Sequence, residues 1–157
     1  GPLFEAQLGI KDSPFNVQPV RGRYMWRDFE RLCQKHKLEW RRPSVFPRNG
    51  LLAARVACGA IREAWLPAFC RAIFRANFAE DADIADPAVV RGVLDALGLA
   101  GDGWLEAASS PAAKQALRDR TAQAASAGMF GAPHFVVGGE LFFGQDRLED
   151  ALAWCRR

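Results

Sequence analysis

The sequence has little that would commit it to a metal, a membrane or a nucleic acid. Its 157 residues contain two histidines, His36 and His134, and four cysteines, Cys33, Cys58, Cys70 and Cys155, with no CxxC pair. These spacings offer no zinc-like ligand set, so no metal is expected. The thiols read instead as small apolar residues kept reduced, which points to a cytoplasmic protein. No apolar run reaches the roughly 20 residues of a membrane-spanning helix. The longest candidate, LLAARVACGAIREAWLPAFCRAIF, is broken by Arg55, Arg62, Glu63 and Arg71. Nothing from Gly1 onward reads as a secretory signal. The formal charge is +3 and no dense Lys/Arg block occurs, which argues against a nucleic-acid partner.

What is present suits one domain. Half the residues are apolar and a quarter charged, and the length allows one real core but hardly two. Residues 1–21 predict an irregular lead-in, rich in turn formers around DSPFNVQPVRG. From Gly22, the apolar residues Met25, Phe29, Leu32 and Cys33 recur at helical spacing through Lys37. LEWRRPSVFPRN predicts extended chain, because Pro43 and Pro47 disfavour helix. LLAARVACGAIRE is apolar on most faces and predicts a buried helix. Pro67 fits the first turn of another, with Trp65, Phe69 and Ile73 on one face. Asp86-Pro87 and Ser110-Pro111 are two cap-then-proline helix starts, the second helix reaching Ala127 and stopping at Gly128. The end differs: HFVV and ELFF are short β-rich runs joined by Gly138-Gly139, a two-residue hairpin signature. A last helix from about Asp146 carries Leu148, Leu152 and Cys155 at i, i+4 and i+7.

The stretch GMFGAPHFVVGGELFFGQDRLEDAL, Gly128 to Leu152, carries the chemistry. Proline cannot donate to a sheet, so Pro133 marks an edge or an entry corner. An X–Pro bond is also the one peptide bond that is readily cis. A cis Ala132–Pro133 bond would leave Ala132's N–H and C=O free to pair with an extended peptide; a plain loop-to-strand corner is the competing reading. Asp146, with Glu149 three residues on, fits a capping box. It equally fits an acceptor for a ligand ammonium, with helix N–H groups beside it for a carboxylate.

This stretch resembles the C-terminal part of the DsbA and kappa-class glutathione transferase superfamily, and within it the 2-hydroxychromene-2-carboxylate isomerases, where G-x-F-G-x-P-x-F-x-V leads to a G-x-D-R helix start. The likeness extends through PVRGRYMWRDFERLC and VFPRNGLLAARVA and covers essentially the whole chain. It implies an α/β class: a thioredoxin-like fold with an all-helical insertion over about 22–127, and a hairpin and final helix over 128–157. It also implies a glutathione site. Ala132 and Pro133 would hold the middle of the tripeptide and Gln145 and Asp146 its amino acid end. Arg21 would face a glutathione carboxylate; a solvated surface arginine is the alternative. Asn49 would lie near an aromatic-derived substrate, a helix cap being the competing role, and Phe130 would wall the pocket or serve as core.

One departure matters. The family's reactive centre, a serine that activates glutathione or a CxxC that exchanges disulfides, follows its first strand. The opening GPLFEAQ matches a loop beyond the second strand, so the family's first strand-helix-strand segment is expected to be absent here, the chain forming a single partial domain over 1–157. The resemblance implies a glutathione-dependent isomerase of aromatic degradation, whose activating residue belongs to a longer product. A DsbA-type oxidoreductase and a kappa-type transferase are the enzymatic alternatives. A truncated binding module, pairing through exposed sheet edges as a homodimer, is the non-enzymatic one.

Overall fold

The computed structural model describes Glu5, Gly9 and residues 12–156. The start of the expected irregular lead-in therefore lies, apart from those two residues, outside the described residues. By Cα proximity the chain divides into two units, 14–118 and 1–13 with 119–157.

In the unit 14–118, helix arrives earlier than expected. A short helix α1, Pro14–Val17, precedes α2, Pro19–His36. Pro19 sits in the first turn of α2, where its fixed φ favours helix and its missing N–H leaves no acceptor wanting. The start thus moves ahead of Gly22. The helix closes at Lys37, which takes a left-handed φ of 54°; Leu38 N–H reaches back to the Cys33 carbonyl at 2.8 Å. Extended chain follows, as the two prolines require.

Four helices then build the core: α3 Leu51–Gly59, α4 Leu66–Phe78, α5 Pro87–Ala96 and α6 Gly101–Ser109. Asp86 caps α5, its carboxylate accepting from Ala88 N–H at 2.8 Å, with Pro87 in the first turn. Pro67 takes the same position in α4. The core gathers Ala53, Val56, Phe69, Ile73, Ala76, Ile84, Val90, Leu94 and Ala108. Trp65 packs edge-on against Trp104, ring centres 4.8 Å apart. The expectation of a buried helix over LLAARVACGAIRE is corrected. The helix stops at Gly59, and within it only Ala53 and Val56 are buried, while Leu51 and Ile61 are about half exposed. An apolar sequence without a polar face does not reveal which side its neighbours cover. Helix α6 is an addition. It opens on GDG, a poor start by propensity, and is capped from outside by Asp95, whose carboxylate accepts from Gly101 N–H at 3.1 Å.

The division between the units falls within α7, Pro111–Ser126. Ser110 caps this helix, its hydroxyl oxygen accepting from Ala113 N–H at 3.1 Å, and Gly128 closes it at φ 81°. In 119–157, strands β1, His134–Val137, and β2, Glu140–Phe143, pair antiparallel, with His134 opposite Phe143 and Val137 opposite Glu140. Gly138 and Gly139 form the loop at φ 58° and 87°, the double positive φ that a type I′ turn demands and that only glycine meets without strain. A 3₁₀ turn, Gln145–Arg147, leads into α8, Leu148–Trp154. The expected apolar face of this last helix is also corrected. Ala151 is buried, whereas Leu148, Leu152 and Cys155 are exposed, because the spacing shows which residues share a face but not which face the neighbours cover.

All four cysteines are free thiols, and burial pushes the Cys33 thiol up from its ordinary pKa. No helix among the described residues is long and apolar enough to cross a membrane.

Candidate functional site

The Ala132–Pro133 peptide is cis. The Pro133 carbonyl accepts a hydrogen bond from Gly144 N–H at 3.0 Å, extending the ladder beyond the His134–Phe143 pair. Through this bond the strand start meets the 3₁₀ turn. Ala132 and Pro133 are thereby brought next to the segment carrying Gln145 and Asp146. Ala132 is exposed, and its N–H and C=O have no hydrogen-bond partner among the described residues. The first N–H groups of the turn, on Gln145 and Asp146, are likewise without an acceptor there, as the start of any helical turn is unless capped.

Asp146 does not form the capping box. No side chain caps the turn or α8, where Arg147 occupies the N-cap position. The intervening 3₁₀ turn shifts the register, so Asp146 and Glu149 do not bracket one helix start. The carboxylate of Asp146 is exposed and lies 3.7 Å from the Arg147 Nε. Arg147 bonds more closely to Asp150, at 3.0 Å, and the two carboxylates, Asp150 foremost, raise the pKa of its guanidinium. Gly144 takes φ 102°, and a Cβ there would collide with the Asp146 carboxylate. The backbone conformation thus favours glycine at this joint.

Aromatic rings back the corner. Phe130 stands perpendicular to His134 with ring centres 4.8 Å apart and lies 4.7 Å from Phe143; His134 and Phe143 are 4.9 Å apart. Phe143 also packs on Gly131 so closely that a Cβ there would sit 2.8 Å from its ring. His134 Nδ1 lies 2.7 Å from the Gly131 carbonyl, which can only accept, so Nδ1 carries the proton. Its Nε2 is buried without a partner among the described residues. The only sequence signal for a role of His134 in this corner is its place directly after Pro133.

The other two expected residues lie in the unit 14–118. Arg21 is exposed in the first turn of α2 and has no carboxylate partner among the described residues. The side-chain oxygen of Asn49 accepts from Leu51 N–H at 3.0 Å, so Asn49 does serve the start of α3; its amide nitrogen stays unbonded among the described residues. Its loop is anchored by Arg48, which sequence reasoning missed. The Arg48 side chain is almost wholly buried. It donates to Asn77 Oδ1 at 3.1 Å, to the Ser44 hydroxyl at 3.0 Å and to the Asp81 carbonyl at 3.1 Å, and pairs with the Asp81 carboxylate. The bond from Ser44 N–H, reinforced by Arg48, holds the Asp81 carboxyl down at about 2.

A family model described as a DSBA-like thioredoxin domain matches residues 2–153. A curated 2-hydroxychromene-2-carboxylate isomerase from Sphingobium xenophagum is 29% identical over 137 residues, which is 87% of this chain and 69% of that protein. A solved structure of a 2-hydroxychromene-2-carboxylate isomerase superposes with a TM-score of 0.76 at 23% identity, covering 96% of this chain and 76% of that one. At that identity the likeness is one of fold.

Proposed function

We propose, for a chain that belongs to the DsbA-like thioredoxin domain family, a glutathione-dependent isomerase activity of the 2-hydroxychromene-2-carboxylate type, acting in the breakdown of aromatic compounds. The observation that carries this reading is the 3.0 Å bond between Gly144 N–H and the Pro133 carbonyl. It sets a peptide group and a helical turn, both unpaired among the described residues, beside an exposed carboxylate. The relationship to an isomerase supports the reaction class.

These residues fit the tripeptide. Its extended middle suits the free N–H and C=O of Ala132, in the manner of an added strand. Its amino acid end suits the Asp146 carboxylate for the ammonium, and the N–H groups of Gln145 and Asp146 for the carboxylate. Phe130 supplies an apolar wall beside the corner. The family resemblance assigns Arg21 to a carboxylate of glutathione and Asn49 to the substrate. Glutathione, when bound, supplies a thiolate able to add reversibly to a conjugated double bond and so permit rotation. The chain's part is to fix that peptide in one register, so that its thiol meets the substrate in a single orientation.

The test is an assay of the full-length gene product. Conversion of 2-hydroxychromene-2-carboxylate is expected to depend on glutathione and to leave no stable conjugate. Asp146→Asn should weaken apparent glutathione affinity by about tenfold or more, the size of one hydrogen bond to a charged group. Conversion that proceeds equally without glutathione would sink the proposal; disulfide exchange in its place would assign the chain to the oxidoreductase branch.

A further inference from the structure

His134 follows Pro133 directly, and its Nδ1 donates to the Gly131 carbonyl at 2.7 Å. That carbonyl and the Ala132 N–H belong to one peptide group. The Gly131–Ala132 bond is trans, so the group is planar, with its C=O and N–H pointing in opposite directions. A hold on the carbonyl therefore sets where the N–H points. Ala132 is exposed, and its N–H has no hydrogen-bond partner among the described residues.

The imidazole is itself well held. Phe130 stands perpendicular to it with ring centres 4.8 Å apart, and Phe143 lies 4.9 Å away, tilted by 35°. Two packed rings restrict its rotamers, and so the direction of its N–H. Nothing competes for the ring, since Nε2 has no partner among the described residues. The Nδ1 bond is its one polar tether there. Gly131 has no side chain to restrain its own backbone, and Phe143 packs where a Cβ would stand. The orientation of the Gly131–Ala132 peptide group is thus left to His134. An accepting carbonyl also polarises its peptide group, which makes the N–H a better donor.

We infer that His134 is a positioning residue: by holding the Gly131 carbonyl, it presents the Ala132 N–H ready oriented to a carbonyl of an extended peptide at this corner. The inference rests on the proposed glutathione site, where that carbonyl belongs to the cysteinyl residue of the tripeptide. His134 acts through the peptide group alone and touches neither glutathione nor substrate. A donor fixed before binding need not be ordered during it, and the saving appears as affinity.

The test titrates wild type and three variants with reduced glutathione and with γ-glutamylcysteamine, which keeps the γ-glutamyl end and the thiol but lacks the cysteinyl carbonyl. His134→Leu fills similar space without a donor. His134→Gln keeps an amide but places it where Nε2 stands, and His134→Asn places one where Nδ1 stands. Glutathione affinity should fall about three- to tenfold in His134→Leu and His134→Gln, the size of one neutral hydrogen bond. It should largely recover in His134→Asn. γ-Glutamylcysteamine should bind wild type and all three variants equally. Without ligand, the Ala132 amide nitrogen signal, which responds to hydrogen bonding at the carbonyl of its own peptide group, should move in His134→Leu and return in His134→Asn. Equal losses for both ligands would mean a general disturbance of the corner and would overturn the inference. Unchanged glutathione affinity in His134→Leu and His134→Gln would do the same. Both of those results leave wild-type binding intact, whereas a wild type that binds no glutathione overturns the proposed function and this inference with it.

Discussion

Asp81 adopts φ 57°, an uncommon backbone for any residue with a side chain, and its carboxylate ties Ser44 and Arg48 to the end of α4. Those bonds depress its pKa from 3.8 to about 2. A carboxyl group depressed on folding stabilises fully above its unfolded pKa and loses that contribution as pH falls through its folded one. For Asp81 the window therefore runs from about 4 down to about 2. Asparagine tolerates the left-handed backbone and keeps the shape, so Asp81→Asn removes little besides charge. In urea unfolding the wild type should be the more stable near neutral pH, with the gap narrowing between about pH 4 and pH 2; a gap constant across that window would contradict the assignment. Legibility at this scale depended on how local each role is. Asp86 and Ser110 cap helices that begin one residue later, so the adjoining prolines reveal them. Arg48 acts on Asn77 and Asp81 across the sequence, and no spacing rule connects them. Asp146 reads as a cap only because the sequence does not show the 3₁₀ turn that displaces the helix start.

Among the elements, the hairpin is the most readable, since two glycines, two β-rich runs and a two-residue loop allow one register. Helix α5 is similarly plain: Val90 and Leu94, four apart, are both fully buried. Leu94→Ala should cost about 2–5 kcal/mol, the loss typical of truncating a packed core leucine. Leu152 is half exposed on α8, and Leu152→Ala should change stability by only about 0.5 kcal/mol. Urea unfolding of both variants checks the pair, and a Leu152→Ala loss as large as that of Leu94→Ala would mean the burial pattern is wrong. Less readable were α3, whose apolar sequence conceals an exposed side, and α6, whose cap comes from Asp95 on the far side of a turn. In both cases tertiary neighbours decide what propensity leaves open.

For the molecule as a whole, the DsbA-like thioredoxin fold was legible through the family resemblance of the stretch from the GAPHF corner to the GQDR turn. The packing of the aromatic residues around Trp26 was not legible. Trp26 and Phe46 lie far apart in the sequence, and only the packing of the extended chain after α2 sets Arg42 over an indole. The central claim concerns the joint between Pro133 and Gly144, and backbone amide NMR of the labelled chain titrated with reduced glutathione tests it most directly. The account predicts that amides of Gly131, Ala132 and His134 and those of Gly144 to Arg147 shift most, and that both groups saturate with one dissociation constant. No shift in either group, or largest shifts elsewhere, would contradict it.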